Sequence, residues 1–276
     1  MDLEKLTRSV CQVARQAGAY IRGERQKFSL TSVERKHAHD YVSYVDKGSE
    51  QLIVSRLREL LPEAAFITEE GTAGRTADDG SGLCWVVDPL DGTTNFIHRY
   101  APYAVSIALM EGASVLLGVV YEVCADECYL AWKGGGARLQ TGGGQAAEER
   151  LSVSRQGIQD ALLCLQLPYN HEAYKPTAQH FIDTFYGRAA SIRMNGSAAT
   201  SLCYVAAGRL DGYAEQYIGQ WDFMAGSLIV TEAGGTVTDY AGRADFTRGN
   251  SVVATNGIVQ QDILDAIKNL KQDTQI

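Results

Sequence analysis

The stretch Trp85-Val86-Val87-Asp88-Pro89-Leu90-Asp91-Gly92-Thr93-Thr94-Asn95-Phe96 decides how the rest of the chain is read. Trp85, Val86 and Val87 suit the end of a buried strand, because β-branched and aromatic side chains fit a packed pleat. Pro89 and Gly92 are expected to stop that strand and turn the chain. The turn carries two carboxylates, Asp88 and Asp91, at one strand end. Carboxylates so crowded repel unless a positive charge sits between them. Oxygen donors of this kind suit Mg²⁺, which takes a few carboxylates and fills its other positions with water or substrate phosphate. Gly92-Thr93-Thr94-Asn95 adds backbone N–H groups and hydroxyls suited to an anion.

Two more acids belong with this stretch. Residues 64–68 read as a short strand that delivers Glu69, and Asp222 follows Trp221 where a helix begins. Taken singly, Asp222 reads as a helix N-cap and the others as turn residues. Taken together, four acids at strand ends and a helix start read as a metal site.

The segments Ile67-Thr68-Glu69-Glu70-Gly71, Asp88 to Phe96, and Trp221-Asp222-Phe223-Met224-Ala225-Gly226 running on to Thr231-Glu232-Ala233-Gly234-Gly235 occur in this order. They resemble the signatures of the inositol monophosphatase family of Mg²⁺-dependent, lithium-sensitive sugar phosphatases, and the resemblance covers nearly the whole chain. It implies two or three Mg²⁺ ions. Glu69, Asp88 and the Leu90 carbonyl would hold the first. Asp88 would bridge to a second, held also by Asp91 and Asp222. A third, weaker ion would lie near Glu69 and Glu70. Thr93 would orient the attacking water, with Asp46 accepting from it; Asp46 reads equally as a helix cap, and the two roles are compatible. Glu69, Thr93 and Asp46 thus form the implied catalytic set. The N–H groups of Gly92 and Thr93 would hold phosphate oxygens, helped by a helix N-terminus. Asn195-Gly196-Ser197-Ala198 corresponds to a sugar-contact turn, with Ser197 in place of a more usual threonine. Glu215 would accept a ring hydroxyl, which Asp91 and Asp222 would also touch.

The activity implied is hydrolysis of inositol monophosphate by a metal-activated water. 3′-Phosphoadenosine 5′-phosphate, fructose-1,6-bisphosphate and histidinol phosphate are alternative substrates on the same scaffold. A regulatory protein that kept the fold and lost activity is a further reading, set against the complete acid set. A small phosphorylated polyol as partner, a homodimer and lithium inhibition are implied in the same way.

Composition narrows the field. Over 276 residues, 45% are hydrophobic and 21% charged, so a sizeable core is expected. Lys plus Arg is 25 against Asp plus Glu of 33, a net charge of −8, which argues against affinity for nucleic acid polymers or anionic membranes. It does not argue against a phosphate substrate, because bound divalent cations reverse the local sign. No apolar run reaches the length of a membrane span, and Met1-Asp2-Leu3-Glu4-Lys5-Leu6 lacks the pattern of a secretory signal. The scattered cysteines read as reduced core thiols, and no second Cys/His pair joins Cys124 and Cys128 in a zinc pattern. A cytoplasmic location is expected.

Along the chain, residues 3–25 and 46–61 show the spacing of amphipathic helices. Residues 25–39 read as a polar loop or hairpin, with His37 and His39 at its surface, and residues 72–81 read as a loop. Strands are expected near 84–87, 103–111, 114–123 and 127–132, with Gly134–Gly136 and Gly142–Gly144 as turns of a meander rather than phosphate loops. Beyond residue 150, strands and helices alternate. The fold class expected is mixed α/β, an αβαβα layered sandwich of the sugar phosphatase type, in a single unit spanning 1–276. Its halves would be about 1–148, with the metal motifs, and about 149–276, with the substrate turn and the last metal ligand.

Overall fold

The computed structural model describes residues 1–28, 33–37, 40–73, 82–144, 148–167, 171–247 and 249–273. The chain opens with α1 (Leu3–Lys27), the hairpin β1 (Val33–His37) and β2 (Asp40–Ser43), and α2 (Tyr44–Leu60). β3 (Ala65–Thr68), β4 (Leu83–Asp91), the short helix α3 (Thr93–Ile97), β5 (Ala104–Glu111), β6 (Ser114–Glu122), β7 (Glu127–Trp132), β8 (Gly136–Gln140) and β9 (Glu149–Arg150) follow. Then come β10 (Leu162–Leu165), α4 (His171–Phe185), β11 (Ser191–Arg193), α5 (Ala198–Ala206), β12 (Gly212–Gln216), α6 (Gln220–Glu232), β13 (Thr236–Thr238), β14 (Ser251–Thr255) and α7 (Gln260–Asp273).

Strands β3 to β9 form one sheet in sequence order, and a second sheet runs β11-β10-β12-β14-β13. Three apolar clusters separate the layers. In the first, Val10, Val13, Ala17 and Ile21 of α1 and Ile53 and Leu57 of α2 pack on Trp85, Val87, Ile107 and Val119 of the large sheet. The i, i+3, i+4 spacing of these helical residues creates that apolar face. The second joins the opposite face of the large sheet, through Val86, Ala108 and Val120, to α5, α6 and the smaller sheet. The third seats α4 and α7 on the outer face of the smaller sheet, around Phe181, Phe185, Val253 and Ile263. The order is helix, sheet, helix, sheet, helix, the layered sandwich expected. β4 lies between two helical layers and is buried from Cys84 to Asp91, so it reads as a continuous apolar run rather than an alternating one.

One local expectation is corrected. Pro89 does not stop β4, which continues to Asp91. Asp88 pairs with Ser106 and Asp91 with Ala104, so three steps on β4 meet two on β5. The proline sits inside this bulge, where the ladder asks for no N–H. Gly92 does turn the chain, at φ 86. The glycine triplets fall in the β7–β8 turn and just after β8, as meander turns. The short strand β9 has no counterpart in the sequence reading, and α3 enters it only as a helix N-terminus beside Gly92 and Thr93, because a few residues show no period. Of residues 25–39 and 72–81, positions 29–32, 38–39 and 74–81 lie outside the described residues, His39 among them. Among the described residues no helix is long and apolar enough to cross a membrane.

Helix α6 brings the C-terminal half against the metal motif, and small residues set its depth. A Cβ on Gly118 of β6 would fall 2.6 Å from the Ala225 carbonyl oxygen and 2.9 Å from its Cα. Ser106 Oγ of β5 donates to the Trp221 carbonyl at 3.0 Å, one residue before Asp222. At the far end of α6, Glu232 accepts from the N–H groups of Gly134 and Gly136, each at 2.7 Å. Backbone cannot retreat as a side chain can. Gly118→Ala is therefore expected to destabilise the fold by about 1–3 kcal/mol, read as a lower urea midpoint at unchanged slope. A midpoint equal to wild type would show that the two layers are not in such close contact.

Candidate active site

The β4 bulge aims its acids at one place. Asp88 Oδ1 accepts from the Leu90 N–H two residues on, at 2.9 Å, which fixes the carboxylate against its own strand. Asp91 sits at the start of α5: it accepts from the N–H groups of Ala198 (3.1 Å) and Ala199 (3.0 Å) and from the Ser197 hydroxyl. Ser197 is the N-cap of α5, so the expected sugar-contact turn is tied directly to an expected metal ligand. Asp222 is the third residue of α6 rather than its cap, and its carboxylate reaches back to the Gly219 N–H at 2.7 Å. Carboxylate oxygens of Asp88, Asp91 and Asp222 lie within 4.8 Å of one another. Glu69 is outside that tight group. The pairing of parallel β3 on β4 continues one step past β3, with the Glu69 N–H on the Val87 carbonyl at 3.2 Å, which sets Glu69 at the same cavity beside Asp88.

The electrostatics of this group are unfavourable without a cation. Burial first, then the charges of Glu69, Asp91 and Asp222, push the Asp88 carboxyl well above the usual range. Burial, then Glu69, Asp91 and Glu215, do the same to Asp222. Asp91 is pushed up to about 6 by burial, against the hydrogen bonds from Ser197 and α5. The cavity, about 410 Å³, has no lysine, arginine or histidine among its described lining residues. Hard oxygen donors, close spacing and no cationic side chain fit a divalent metal.

Around this floor, Thr93 Oγ1 lies 2.8 Å from Asp46 Oδ1 and 3.0 Å from the Leu90 carbonyl, so its one proton has two acceptors. Asp46 is fully buried and closes a capping box at the start of α2. Its Oδ2 accepts from the Ser43 N–H (2.9 Å) and hydroxyl (2.6 Å). Burial pushes its carboxyl up against these hydrogen bonds. The cap and the Thr93 contact coexist. α3 has five residues, so the expected help from a helix N-terminus is slight. The Thr94 hydroxyl on the cavity wall is buried with no partner among the described residues. Gly196, at φ 73, faces Asn95: a Cβ there would fall 2.7 Å from the Asn95 amide oxygen. Glu215 on β12 lines the cavity, accepts from the Tyr213 hydroxyl, and is pushed up to about 8, by burial first and also by Asp91.

Several residues that hold the site carried no role in the sequence reading. Glu50 is fully buried and accepts from the Glu70 N–H (2.8 Å), the Thr72 N–H (2.6 Å) and the hydroxyls of Thr68 (3.0 Å) and Thr72 (2.7 Å), which fixes the loop bearing Glu69. Ser49 donates to the Pro89 carbonyl at 2.9 Å. Asn95 donates to the carbonyls of Pro102 (2.8 Å) and Asn195 (2.7 Å), joining the motif turn to the Gly196 turn. A signal existed for Glu50: four residues after Asp46 it shares a face of α2. Tyr213 likewise stands two residues before Glu215 on one strand face.

Buried carboxyls whose folded pKa is raised bind more protons in the native state. Metal-free stability from these groups is therefore full below about pH 4 and lost as pH climbs through the Asp91 and Glu215 values of about 6 and about 8. A bound cation removes the loss. Mg²⁺ at about 100 times its Kd at pH 8 is expected to raise Tm by about 5–10 °C at that pH and, at the same concentration, by less at pH 5, in a melt of metal-stripped protein. A larger gain at pH 5 would contradict this electrostatic account.

Comparison with known proteins agrees with the geometry. Residues 2–272 match the model of the inositol monophosphatase family. A Nus factor SuhB of Pseudomonas aeruginosa is 38% identical over 249 residues, covering 89% of each chain. An inositol-1-monophosphatase of Mesorhizobium japonicum is 35% identical over 269 residues, 97% of this chain and 98% of its own. The crystal structure of the extragenic suppressor protein suhB of Bartonella henselae superposes with a TM-score of 0.85 at 33% identity, over 96% of this chain and 98% of that one. By sequence match, layer order and the disposition of its acids, this chain belongs to the inositol monophosphatase family.

Proposed function

We propose that the chain is a cytoplasmic, metal-dependent phosphomonoesterase that hydrolyses inositol monophosphate to inositol and phosphate. The carrying observation is the trio Asp88, Asp91 and Asp222, with carboxylate oxygens within 4.8 Å of one another on a cavity without a described cationic side chain. Glu69, Asp88, the Leu90 carbonyl, Asp91 and Asp222 would hold two or three Mg²⁺. Bound Mg²⁺ supplies charge against the phosphate and acidifies water.

The chain's own groups do the rest. Thr93 Oγ1 donates its hydrogen bond to Asp46 Oδ1 at 2.8 Å, which leaves its oxygen lone pairs to accept from the attacking water. As the water oxygen bonds to phosphorus, its proton passes to Thr93 Oγ1 and the Thr93 proton to Asp46, whose raised proton affinity favours the transfer. The ester oxygen leaves with a proton from solvent water, and Asp46 returns the proton it received to solvent, so that one water is consumed in all. Gly92 and Thr93 N–H groups donate to phosphate oxygens, and phosphoryl transfer needs little beyond such positioning and charge neutralisation. On the polyol side, Glu215, Asp91, Asp222 and the Gly196-Ser197 turn meet ring hydroxyls.

Phosphate release from a panel of inositol 1-phosphate, 3′-phosphoadenosine 5′-phosphate, fructose-1,6-bisphosphate and histidinol phosphate tests the reading. Inositol phosphate is expected to lead, and Asp88→Asn is expected to lower turnover by at least about 100-fold, as loss of one preorganised electrostatic contact commonly does. Adenylate turnover well above inositol phosphate would move the substrate; wild-type rates in Asp88→Asn would remove the metal site. A homodimer belongs to the same proposal and is read by light scattering, where the mass of one chain would overturn it. A second reading takes its support from the Pseudomonas aeruginosa relative, a Nus factor by name. Asp88→Asn separates the two, since that role retained without hydrolysis would assign it to another part of the molecule.

A further inference from the structure

The mouth of the cavity differs in chemistry from its floor. Tyr217 and Leu167 line it, and both are exposed, at 44% and 47%. Ile218 and Trp221 belong to the same lining. Tyr217 holds φ 62, the left-handed region that a bulky residue rarely adopts and glycine adopts freely. It is one residue beyond β12, two past Glu215. Its ring meets Tyr174 edge to face, with centroids 6.3 Å apart at 82°. Tyr174 is buried and shares a hydrogen bond with Tyr240, hydroxyl to hydroxyl, at 2.9 Å. A strained backbone therefore presents an aromatic ring at a pocket mouth, braced from behind by a buried pair. Strain of this kind persists where the surroundings enforce it, and it gathers at ligand clamps.

We infer that Tyr217 is a specificity-determining residue, and that with Leu167 it lets the cavity take, beside polyol phosphates, phosphomonoesters whose leaving group carries a flat aromatic face. The inference rests on the phosphatase reading for its chemistry, with phosphate at the acidic floor and the leaving group toward the mouth. It goes beyond that reading in substrate class: the polar side, led by Glu215, takes hydroxyls, and the Tyr217 side takes an apolar ring. An offset or edge-on aromatic contact corresponds to about a five-fold preference.

The test compares phenyl phosphate with glycerol 2-phosphate in wild type, Tyr217→Gly and Tyr217→Phe. The ratio of kcat/KM for phenyl phosphate to that for glycerol 2-phosphate is expected to fall about five-fold in Tyr217→Gly and to hold in Tyr217→Phe. An equal change for both substrates, or a loss in Tyr217→Phe as large as in Tyr217→Gly, overturns the inference. Tyr217→Gly removes left-handed strain, so its Tm is expected at or above wild type. Should it fail to fold, Tyr217→Asn, which tolerates the same backbone, takes its place. Calorimetry of the same two esters with Ca²⁺ as an unreactive cation keeps the two readings apart. If wild type releases no phosphate from either ester or from inositol 1-phosphate, the phosphatase reading fails. A selective loss of phenyl phosphate affinity in Tyr217→Gly still supports the Tyr217 assignment, and equal affinities in both proteins overturn it.

Discussion

Burying like charges is the constraint on which this structure turns. Asp88, Asp91 and Asp222 come within 4.8 Å of one another, the first two buried, and no described cationic side chain lines the cavity. Isolated carboxylates in such a place are driven toward the neutral form, and burial together with the neighbouring acids pushes Asp88 and Asp222 in that direction. The surrounding fold tolerates the arrangement because each acid is fixed by backbone donors: Leu90 for Asp88, Ala198 and Ala199 for Asp91, Gly219 for Asp222. Those donors satisfy part of each carboxylate without cancelling its charge. What remains is a site that a divalent cation completes.

The layers around the site follow from that demand. The acids come from a strand of the large sheet and from α6 in the middle layer, so β4 and α6 must lie in fixed register. Gly118 lets the α6 backbone rest on β6, and Ser106 ties the Trp221 carbonyl to β5. α5 is held by the same logic, since its N-terminal N–H groups and its cap Ser197 meet Asp91. On the outer helical layer, α2 supplies Asp46 to Thr93, Ser49 to Pro89 and Glu50 to the Glu69 loop from i, i+3 and i+4 positions of one face. Three layers therefore converge on one cavity, each through a polar contact made at an element end.

Much of this was legible beforehand for identifiable reasons. The amphipathic periods of α1 and α2 and the strand–helix alternation of the second half gave the element order, because burial on one face leaves a repeat in the sequence. The acids of the motif, Glu69 and Asp222 were recognisable as a set. Other features were hidden. Pro89 signals a strand end by its missing N–H, and only the bulge against Ser106 and Ala104 removes that need. Glu50 had no role in the sequence reading, since the four donors that satisfy it, at the end of β3 and in the loop beyond, are brought to it by folding. The exposed Tyr217 carries no local mark of a left-handed backbone.

By itself, the sequence determined the family, the order of helices and strands, and which acids are available for a cation. Local period and turn chemistry write these into neighbouring residues. Only the tertiary structure decided that Asp222 of α6 meets Asp88 and Asp91, that Asp91 lies at the start of α5, and that Tyr217 and Leu167 give an acidic pocket an apolar mouth. Period shows that a face is buried. Which distant face covers it depends on how the layers pack, and chemistry shared between residues far apart in the chain exists only after they do.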